Sequence, residues 1–563
     1  MKRKLLNVCL ISALLSFGSC DETDLSGLQD QIDGLTEQVG EMEKAQQDAL
    51  LEQIAALQAL ITDLQADNDE LSTDYTLLLE KLQALQADVE AGVGEIHYGN
   101  VLTDTDFAAV LETGASIITG KVSVTTQAHI TALANVKLVG GYLEIKGGAD
   151  VNFPNLENVG GDLMLAEINE EAEVVLPKLA SVGGNFTILA NEALLSVSAN
   201  ELVMIYGLLE LKNNTVLASL SMANLDVVGE LYMNGEVVLN PEWGSKGKGP
   251  LVDINLSQTK VIGDVHLSYL GDGAKISLGE LGANFVCTHT GVDTLMLTTT
   301  TIPGDLTIDY NQSIAELSFE NLTSVEGNIS INYNVKSGGM GGAVEGGLTS
   351  LTAFDNLLTI GGDLDVNGNG AITELIAFNN VTEIKGDKIT FQYNGSEKTQ
   401  VSIFSKLTTA SSGTFSFTNI MIAEKTDWFD GFNALEKAGD IFIEPQLTMN
   451  AAWELGEVCR FDGFDALLEA NFLDIRLKEI TEFGAFSSLD NLKKNGEYLV
   501  LYMPKDETVG LCSMGPFLSK IKAGDLDNQW NENVKAKFMD SMTWSEVEDR
   551  DVAIARLVSS CEN

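Results

Sequence analysis

The sequence predicts a mainly β protein: a parallel β-solenoid that is preceded by a long α-helical coiled coil and closed by a small helical C-terminal cap. Three observations predict this architecture. Apolar residues recur at alternating spacings of three and four over residues 25–89. A glycine-centred pattern then returns every twenty-odd residues over residues 94–504. Beyond it the repeat is lost, and helix-favouring polar runs such as residues 531–539 follow.

The chain begins with a secretion signal, residues 1–19. A basic start at residues 2–4 precedes an apolar run, residues 5–15, which is too short to span a membrane. The stretch Phe17-Gly18-Ser19-Cys20 resembles a bacterial lipoprotein lipobox, with Phe17 standing where Leu is usual. The resemblance implies that Cys20 becomes an acylated N-terminus. A plain cleavable signal is the alternative.

An acidic linker, residues 20–24, follows the signal. Its carboxylates Asp21, Glu22 and Asp24 are similar to the surface-export signal of some outer-membrane lipoproteins. The resemblance implies an outer-membrane location, lipid-anchored and facing the cell surface. Each buried acyl methylene contributes about 0.8 kcal/mol, so a multiply acylated cysteine holds a chain at a membrane without a spanning helix.

The charge of the chain narrows its partners. The formal net charge is −49, and it becomes more negative once the basic signal is removed. Such a field repels phosphate backbones and anionic lipid surfaces, which excludes nucleic acid as a partner. The expected partners are the membrane through the anchor, a second copy of the chain, and an extracellular protein or glycan.

Residues 25–92 are predicted to be a coiled-coil stalk. One heptad position holds Leu25, Ile32 and Val39 and, after a phase break, Ile54, Ile61, Asn68, Tyr75, Leu82 and Val89. The amide of Asn68 is satisfied only by its partner in register, which favours a parallel homodimer, with a trimer as the runner-up. At about 1.5 Å per residue the stalk would be roughly 100 Å long. A single helix folded back on the body is the alternative.

The predicted solenoid covers residues 94–504. Each unit reads apolar, two spacers, Val or Ile, one spacer, Gly, and then an alternating apolar pair, as in Leu179-Val182-Gly184-Phe186-Ile188. The alternating pair predicts a short strand, and one unit alone cannot bury its apolar face. Stacked units should therefore share an interior column, for which we expect the inward residues Leu163, Ile188, Ile331 and Val366.

An asparagine recurs three residues after the last inward residue of many units. At a stacked corner this side chain can bond the backbone of its own turn and of the next, forming a structural ladder. Its members are Asn191, Asn214, Asn311, Asn334, Asn369 and Asn394.

Two later units carry phenylalanine, at residues 432–435 and 464–467. With the glycine-centred repeat, they resemble the receptor L-domain, a right-handed β-helix related to leucine-rich repeats. The resemblance covers residues 94–504 and implies a right-handed solenoid of the kind found in receptor ectodomains and cell-surface proteins. Longer units at residues 229–263 and 327–362 predict projecting loops, which are candidates for partner contact.

The cap, residues 505–563, contains two cysteines that bracket it. Cys512 and Cys561 are the preferred disulfide pair, because a secreted chain meets an oxidising compartment. Cys287 and Cys459 are left open, and Cys287 suits a buried free thiol as well as a bridge. The cysteine spacings match no zinc motif, and we expect no cofactor.

One segment matches the ligand spacing of an EF-hand calcium loop. Asp363, Asp365, Asn367 and Glu374 supply oxygen atoms at four of its positions. The same segment supplies two inward residues of a solenoid unit and the ladder residue Asn369. One peptide cannot be both a strand and that loop, so the interpretation without metal is preferred.

The patterns together favour a non-catalytic surface protein that binds or adheres to an extracellular protein or glycan through the solenoid. A structural spacer or surface-layer component is one alternative. A carbohydrate-active β-helix enzyme is the other. An enzyme would need charged residues clustered on successive outward strand positions, and no basic residue stands in the outward row, which includes Glu210, Thr307, Ser330 and Asp365.

Overall fold

The computed structural model describes residues 96–504 and 534–539, apart from residues 149, 169, 241–244, 252, 338–343, 396–399, 411–412, 423–428, 448–459, 471, 477–481, 487, 489–490 and 493–498. This part is a parallel β-solenoid with about 13 turns and few helices, which confirms the predicted solenoid. The signal, the acidic linker, the coiled coil and most of the cap lie outside the described residues. The chain divides into two compact units, Met1–Asp264 (the N-terminal unit) and Val265–Asn563 (the C-terminal unit).

A complete turn contains up to three short strands, and each pairs in parallel with its equivalents in neighbouring turns of the unit. The first strand holds the Val or Ile before the glycine, the second holds the alternating apolar pair, and the third follows the asparagine corner. Leu163 thus pairs with Phe186, and Leu165 pairs with Ile188. We call the three resulting stacks the first, second and third ladders.

The N-terminal unit contains all three ladders. The first consists of Ile96–His97, Ile117–Ile118, Leu138–Val139, Asn158–Val159, Ser181–Val182, Lys260–Val261 and the starts of Met204–Lys212 and Val227–Asn234. The second consists of Val122–Val124, Leu143–Ile145, Leu163–Ala166, Phe186–Leu189 and the remainders of the two long strands. The third consists of Asp150–Asn152, Ala172–Val175, Leu194–Ser198 and Ser219–Ser221, and Asp253–Leu256 is a further strand.

The C-terminal unit repeats this arrangement. Its first ladder consists of Thr301–Ile302, Ser324–Val325, Thr359–Ile360, Glu383–Ile384 and Thr409–Ala410, with a separate pair Glu469–Ala470 and Asn491–Leu492. Its second consists of Val265–Ser268, Phe285–Thr288, Leu306–Asp309, Ile329–Asn332, Leu364–Asn367, Lys388–Gln392, Thr414–Ile422, Asp440–Leu447, Phe472–Arg476, Leu499–Pro504 and Val534–Met539. Strands of the third are Ala274–Leu278, Val292–Leu297, Glu316–Ser318, Glu374–Ala377, Gln400–Ile403, Phe429–Gly431, Arg460–Phe461 and Glu482–Phe483.

The inward residues of the repeat form the core of each unit. Leu163 and Ile188 in the N-terminal unit, and Ile331 and Val366 in the C-terminal unit, are fully buried, which confirms the predicted interior column. The repeat glycine is explained by the close approach of successive turns. A Cβ on Gly327 would lie 2.7 Å from the backbone of Gly304, closer than real Cβ contacts come. Glycine is thus required by stacking at this position.

Phenylalanines add a second apolar column to the C-terminal unit. Their rings stack in succession at centroid distances of 4.8–5.4 Å, and we call this column the phenylalanine spine. All of its members are fully buried: Phe354, which ends the 3-10 helix Thr352–Phe354, and Phe378, Phe404, Phe432, Phe464 and Phe486. Offset stacking contributes about 0.5–1.5 kcal/mol per aromatic pair beyond burial, so the spine reinforces the contact between turns.

Two short α-helices occupy the first turns of the N-terminal unit, where the sequence predicted only solenoid units. Helix α1 is Asp104–Thr113 and helix α2 is Gln127–Ala132. Thr103 caps α1, and Asp106 completes a capping box, because its carboxylate accepts the Thr103 N–H at 2.9 Å. The hydrogen bond from the Leu102 backbone, followed by those from Thr103, lowers the pKa of Asp106.

Two antiparallel hairpins interrupt the parallel ladders at the longer units. Val237–Asn240 pairs with Ser245–Gly247 in one unit, and Val335–Ser337 pairs with Val344–Gly347 in the other. The prediction of a helix over residues 531–539 is wrong for the part that the structure describes. Val534–Met539 is a strand that pairs in parallel with Leu499–Pro504. Six of its backbone groups continue the second ladder, where pairing replaces the local helical preference. Within the described residues, no helix has both the length and the hydropathy needed to cross a membrane.

Candidate functional site

The corner asparagines form continuous buried hydrogen-bond ladders. In the C-terminal unit, the Nδ2 of Asn334 donates to the carbonyl of Ile308 at 2.6 Å and to Oδ1 of Asn369 at 3.2 Å. The backbone N–H of Asn311 donates to Oδ1 of Asn334 at 3.0 Å. Asn394 continues this ladder, and Asn191 and Asn214 form the equivalent pair in the N-terminal unit. These side chains satisfy corner backbone groups, which is a structural role.

A second polar ladder follows the repeat glycine, and it includes Asp363. In the C-terminal unit, Asp305 accepts the Asn328 N–H at 2.7 Å, and Asn328 accepts the Asp363 N–H at 2.8 Å. Asp363 in turn accepts the N–H groups of Asp387 and Lys388. The half-buried Asp363 therefore stabilises the start of the next strand through its carboxylate.

The residue before each corner position, which holds a ladder asparagine in six turns, adopts a left-handed backbone conformation. In the N-terminal unit these residues are Glu167, Ala190 and Asn213, with φ of 53–55°. In the C-terminal unit the equivalent positions hold Tyr269, His289, Tyr310, Tyr333, Gly368 and Tyr393, with φ of 53–71°. The backbone of the corner is thus the same, but aromatic rings replace ordinary side chains.

Four of these rings stack along the C-terminal unit, and we call Tyr269, His289, Tyr310 and Tyr333 the aromatic corner stack. Successive centroids lie 5.5, 4.9 and 5.0 Å apart. Tyr310 and Tyr333 are 45 % and 42 % exposed, and Tyr393, one turn beyond Gly368, is 43 % exposed. This surface was not predicted from the sequence, although a Tyr directly before a ladder asparagine is a visible signal of it.

The fold does not require rings at these corners. A left-handed conformation costs an L-residue roughly 1–2 kcal/mol, whereas Gly adopts it freely and Asn tolerates it. Each stacked pair contributes about 0.5–1.5 kcal/mol, so three pairs recover only part of the backbone cost of four left-handed residues. Gly or Asn could occupy the corner with little backbone cost and without ring stacking. The same left-handed conformation occurs at Glu167 and Ala190 and at the buried phenylalanines of the spine from Phe378 onward, so it belongs to the fold, and the exposed rings are the distinguishing feature.

A polar face lies next to the stack, on the outward side of the second ladder. Asp309 directly precedes Tyr310, and Asn332 directly precedes Tyr333. Asp309 accepts the Asn332 N–H at 2.7 Å and the Ser330 hydroxyl at 3.0 Å. Burial raises the pKa of Asp309 against these hydrogen bonds, and the charge of Asp365 raises it further. Carboxylate, amide and hydroxyl groups therefore line the strip beside the aromatic rings.

The EF-hand spacing does not correspond to a loop in the structure. Leu364–Asn367 is a strand, with Leu364 and Val366 inward. Asp365 and Asn367 face outward, and Glu374 is exposed at the start of the third-ladder strand Glu374–Ala377. Among the described residues, no group of three or more His, Cys, Asp and Glu side chains has the geometry to hold a metal ion.

Cys287 is a free, buried thiol at an inward position of the second ladder. Burial raises its pKa to about 12, against a smaller opposing effect of the Thr290 hydroxyl. Cys20, Cys459, Cys512 and Cys561 lie outside the described residues, so the lipidation and the disulfide stay predictions. No protein-family model, no curated protein sequence and no solved structure matches the chain.

Proposed function

We propose that this chain is a lipid-anchored surface protein that binds an extracellular glycan through its C-terminal unit. The binding surface, which we call the strip, consists of the aromatic corner stack and the polar face beside it. The observation that carries the proposal is the aromatic corner stack beside the polar face. Tyrosine offers a rigid, amphipathic contact at low entropic cost, and fixed polar groups beside it confer orientation. Sugars present both C–H surfaces and closely spaced hydroxyls, which match this combination.

The net charge of the chain limits the class of glycan that it can bind. A net charge of −49 opposes the approach of anionic polymers, and the strip itself carries Asp309 and Asp365. Neutral or cationic glycans are therefore the proposed class. The carboxylates and amides accept and donate to vicinal hydroxyls without needing a countercharge.

The predicted anchor, the predicted stalk and the sequence resemblance to receptor L-domains complete the proposal. Acylated Cys20 holds the chain on the outer membrane, and residues 25–92 form a parallel homodimer that carries the solenoid away from the membrane. Two solenoids on one stalk turn a second contact into an intramolecular event, which strengthens binding to a repetitive glycan.

A glycan array and a titration test the binding. The purified chain is compared with a triple variant in which Tyr310, Tyr333 and Tyr393 are replaced by Asn, a residue that tolerates the left-handed corner. We expect the triple variant to lose at least about tenfold in affinity, since aromatic contacts dominate such interfaces. The matched control Ala190→Asn, at an equivalent corner of the N-terminal unit, should bind like the unmodified chain.

The outcomes separate the candidate functions. If the chain binds a protein and the triple variant loses that binding, the proposed surface is correct but its ligand is a protein and not a glycan. Equal binding by the triple variant and the control would refute the role of the strip. The absence of any ligand, combined with regular and abundant display on the cell, would favour the structural spacer.

A separate experiment tests the location. Protease treatment of intact cells should release the solenoid, and metabolic labelling with a fatty acid should mark the chain but not Cys20→Ser. A chain that is protected from protease until the outer membrane is opened would place the solenoid on the periplasmic side.

A further inference from the structure

Two neighbouring strands in the C-terminal unit present a compact set of oxygen atoms. In the parallel register, Ser330 stands beside Asp365 and Asn332 stands beside Asn367, all on the outward face. Adjacent strands lie about 4.8 Å apart, and residues two apart on one strand lie about 6.6 Å apart. The four side chains therefore outline a small parallelogram. Asp309 leans over it from the preceding strand, bonded to Ser330 and to the Asn332 N–H.

Several acceptor atoms of this region have no hydrogen-bond donor. Asn332 donates its Nδ2 to the Ser330 hydroxyl at 2.7 Å, and that hydroxyl donates to Asp309. Three oxygen atoms around the parallelogram are buried and lack a hydrogen-bond partner: Oδ1 of Asn332, Oδ1 of Asp365 and Oδ1 of Asn367. A buried acceptor without a partner costs about 1–3 kcal/mol, so one such atom is notable and three together call for a ligand.

A fourth unpartnered group borders the same set. Thr390 stands in register with Asp365 on the next strand, is 2 % exposed, and its hydroxyl has no hydrogen-bond partner. Among the described residues, neither Asp309 nor Asp365 forms an ion pair with Lys, Arg or His. The region thus combines two carboxylates, two amide oxygens and a hydroxyl without a balancing positive charge.

We propose that one divalent cation, Ca²⁺ by preference, binds at the oxygen cluster formed by Asp309, Asn332, Asp365 and Asn367. Two carboxylates balance the charge of the ion, and carboxylate and amide oxygens are ligands that Ca²⁺ accepts in flexible coordination, with water completing the shell. Mg²⁺ demands a stricter octahedron and retains its water, so it should bind more weakly. The cation would satisfy the unpartnered oxygens in one step.

This site differs from the EF-hand interpretation of the same segment. It shares Asp365 and Asn367 with that interpretation, but it draws Asp309 and Asn332 from neighbouring turns. Asp363 and Glu374 are outside it, because Asp363 holds backbone N–H groups and Glu374 belongs to another ladder. The inference stands without the glycan, since it rests on the unpartnered oxygens alone.

Calorimetric titration of the EDTA-treated, purified chain with CaCl₂ in 150 mM KCl tests the proposal. We expect one saturable site above a weak, diffuse background that the acidic chain creates in every variant. Asp365→Asn keeps the shape of the side chain and removes a charge, so it should weaken the saturable site at least about tenfold. The controls Asp363→Asn and Glu374→Gln should leave it unchanged. Equal affinity in Asp365→Asn, or diffuse binding alone, would overturn the proposal.

Hydrogen exchange of the unmodified chain keeps the test independent of how the variant folds. Ca²⁺ should slow exchange in Ile329–Asn332 and Leu364–Asn367 and leave Leu143–Ile145, an equivalent strand of the N-terminal unit, unaffected. Exchange that ignores Ca²⁺ in all three strands would mean that water alone fills the cluster, and the proposal would fail.

Discussion

Replacement of Asn334 by Ala removes the centre of the asparagine ladder in the C-terminal unit. The side chain takes part in four hydrogen bonds, two as acceptor from Asn311 and two as donor to Ile308 and Asn369. Asn369 still accepts from the Asn334 backbone, but the Asn311 N–H loses its acceptor and the Ile308 carbonyl loses a donor. Each buried group left unsatisfied costs about 1–3 kcal/mol, which gives roughly 2–6 kcal/mol for the pair.

Asn334→Asp should be worse than Asn334→Ala. The carboxylate keeps the shape of the amide but loses both donor hydrogens, and it places a charge where no water reaches it. Asn380→Ala is the matched control. Asn380 is half-buried, and its Nδ2 also donates to a backbone carbonyl, that of Asp355 at 2.6 Å, in a hydrogen bond that solvent can reach. Because water replaces that hydrogen bond, we expect Asn380→Ala to destabilise the unit by at most about 1.5 kcal/mol.

Native-state hydrogen exchange is the suitable assay, since a repeat protein opens locally and a single melting temperature averages over its turns. The free energy of local opening for the amides of Tyr310 and Asn311 should be highest in the control, lower in Asn334→Ala and lowest in Asn334→Asp. If Asn334→Ala lowers that free energy no more than Asn380→Ala does, the buried ladder contributes no more than an exposed bond, and the reasoning fails.

Three further predictions test other parts of the molecule. Phe107→Ala, in the buried face of α1, should destabilise the N-terminal unit by about 3–5 kcal/mol, whereas Leu111→Ala, exposed on the same helix, should change stability by less than about 0.5 kcal/mol; equal effects in chemical denaturation would contradict this. Cys287, whose burial raises its pKa to about 12, should resist iodoacetamide at pH 8 until the chain is denatured, and rapid native labelling would contradict it. Burial, and then neighbouring carboxylates, raise the pKa of Asp465; because protonation then favours the folded state, protection from exchange around it should be greatest below the unfolded-state pKa and decline as pH rises through the folded-state pKa, and Asp465→Asn should lack this dependence.

The solenoid core could be predicted from the sequence because stacking imposes a rule on every turn. An inward position must be apolar in each copy, so the spacing around the glycine identified Leu163 and Val366 from a single chain, and both are fully buried. The helices α1 and α2 were missed because they occupy the first turns, where fewer neighbours enforce the repeat. Local capping by Thr103 decides the structure there.

The candidate sites were harder to predict because they depend on register across turns. Asp309 and Asn332 are 23 residues apart, but Asn332 and Asn367 are 35 apart, since the hairpin that contains Val335–Ser337 lengthens that turn. Linear spacing therefore grouped Asp363 with Asp365, although the two serve different ladders. The orientation of an amide oxygen is also absent from the sequence, and that orientation separates a satisfied Asn334 from an unsatisfied Asn332.

The two units provide an internal comparison between features that the fold requires and features that distinguish one unit. Both use the same corner backbone, the same glycine-dependent stacking and the same asparagine hydrogen bonds, so the fold itself explains these features. Among the described residues, the C-terminal unit alone places a stack of exposed aromatic rings at left-handed corners. Among its buried side-chain oxygens without a hydrogen-bond partner, those of Asn332 and Asn367 lie directly before the left-handed corners Tyr333 and Gly368. Those of Asp365 and Thr390 lie two positions earlier on their strands, whereas that of Asn433 follows Phe432. The exposed rings and these oxygens thus distinguish the C-terminal unit from the N-terminal unit, and they mark the surface that we propose for binding.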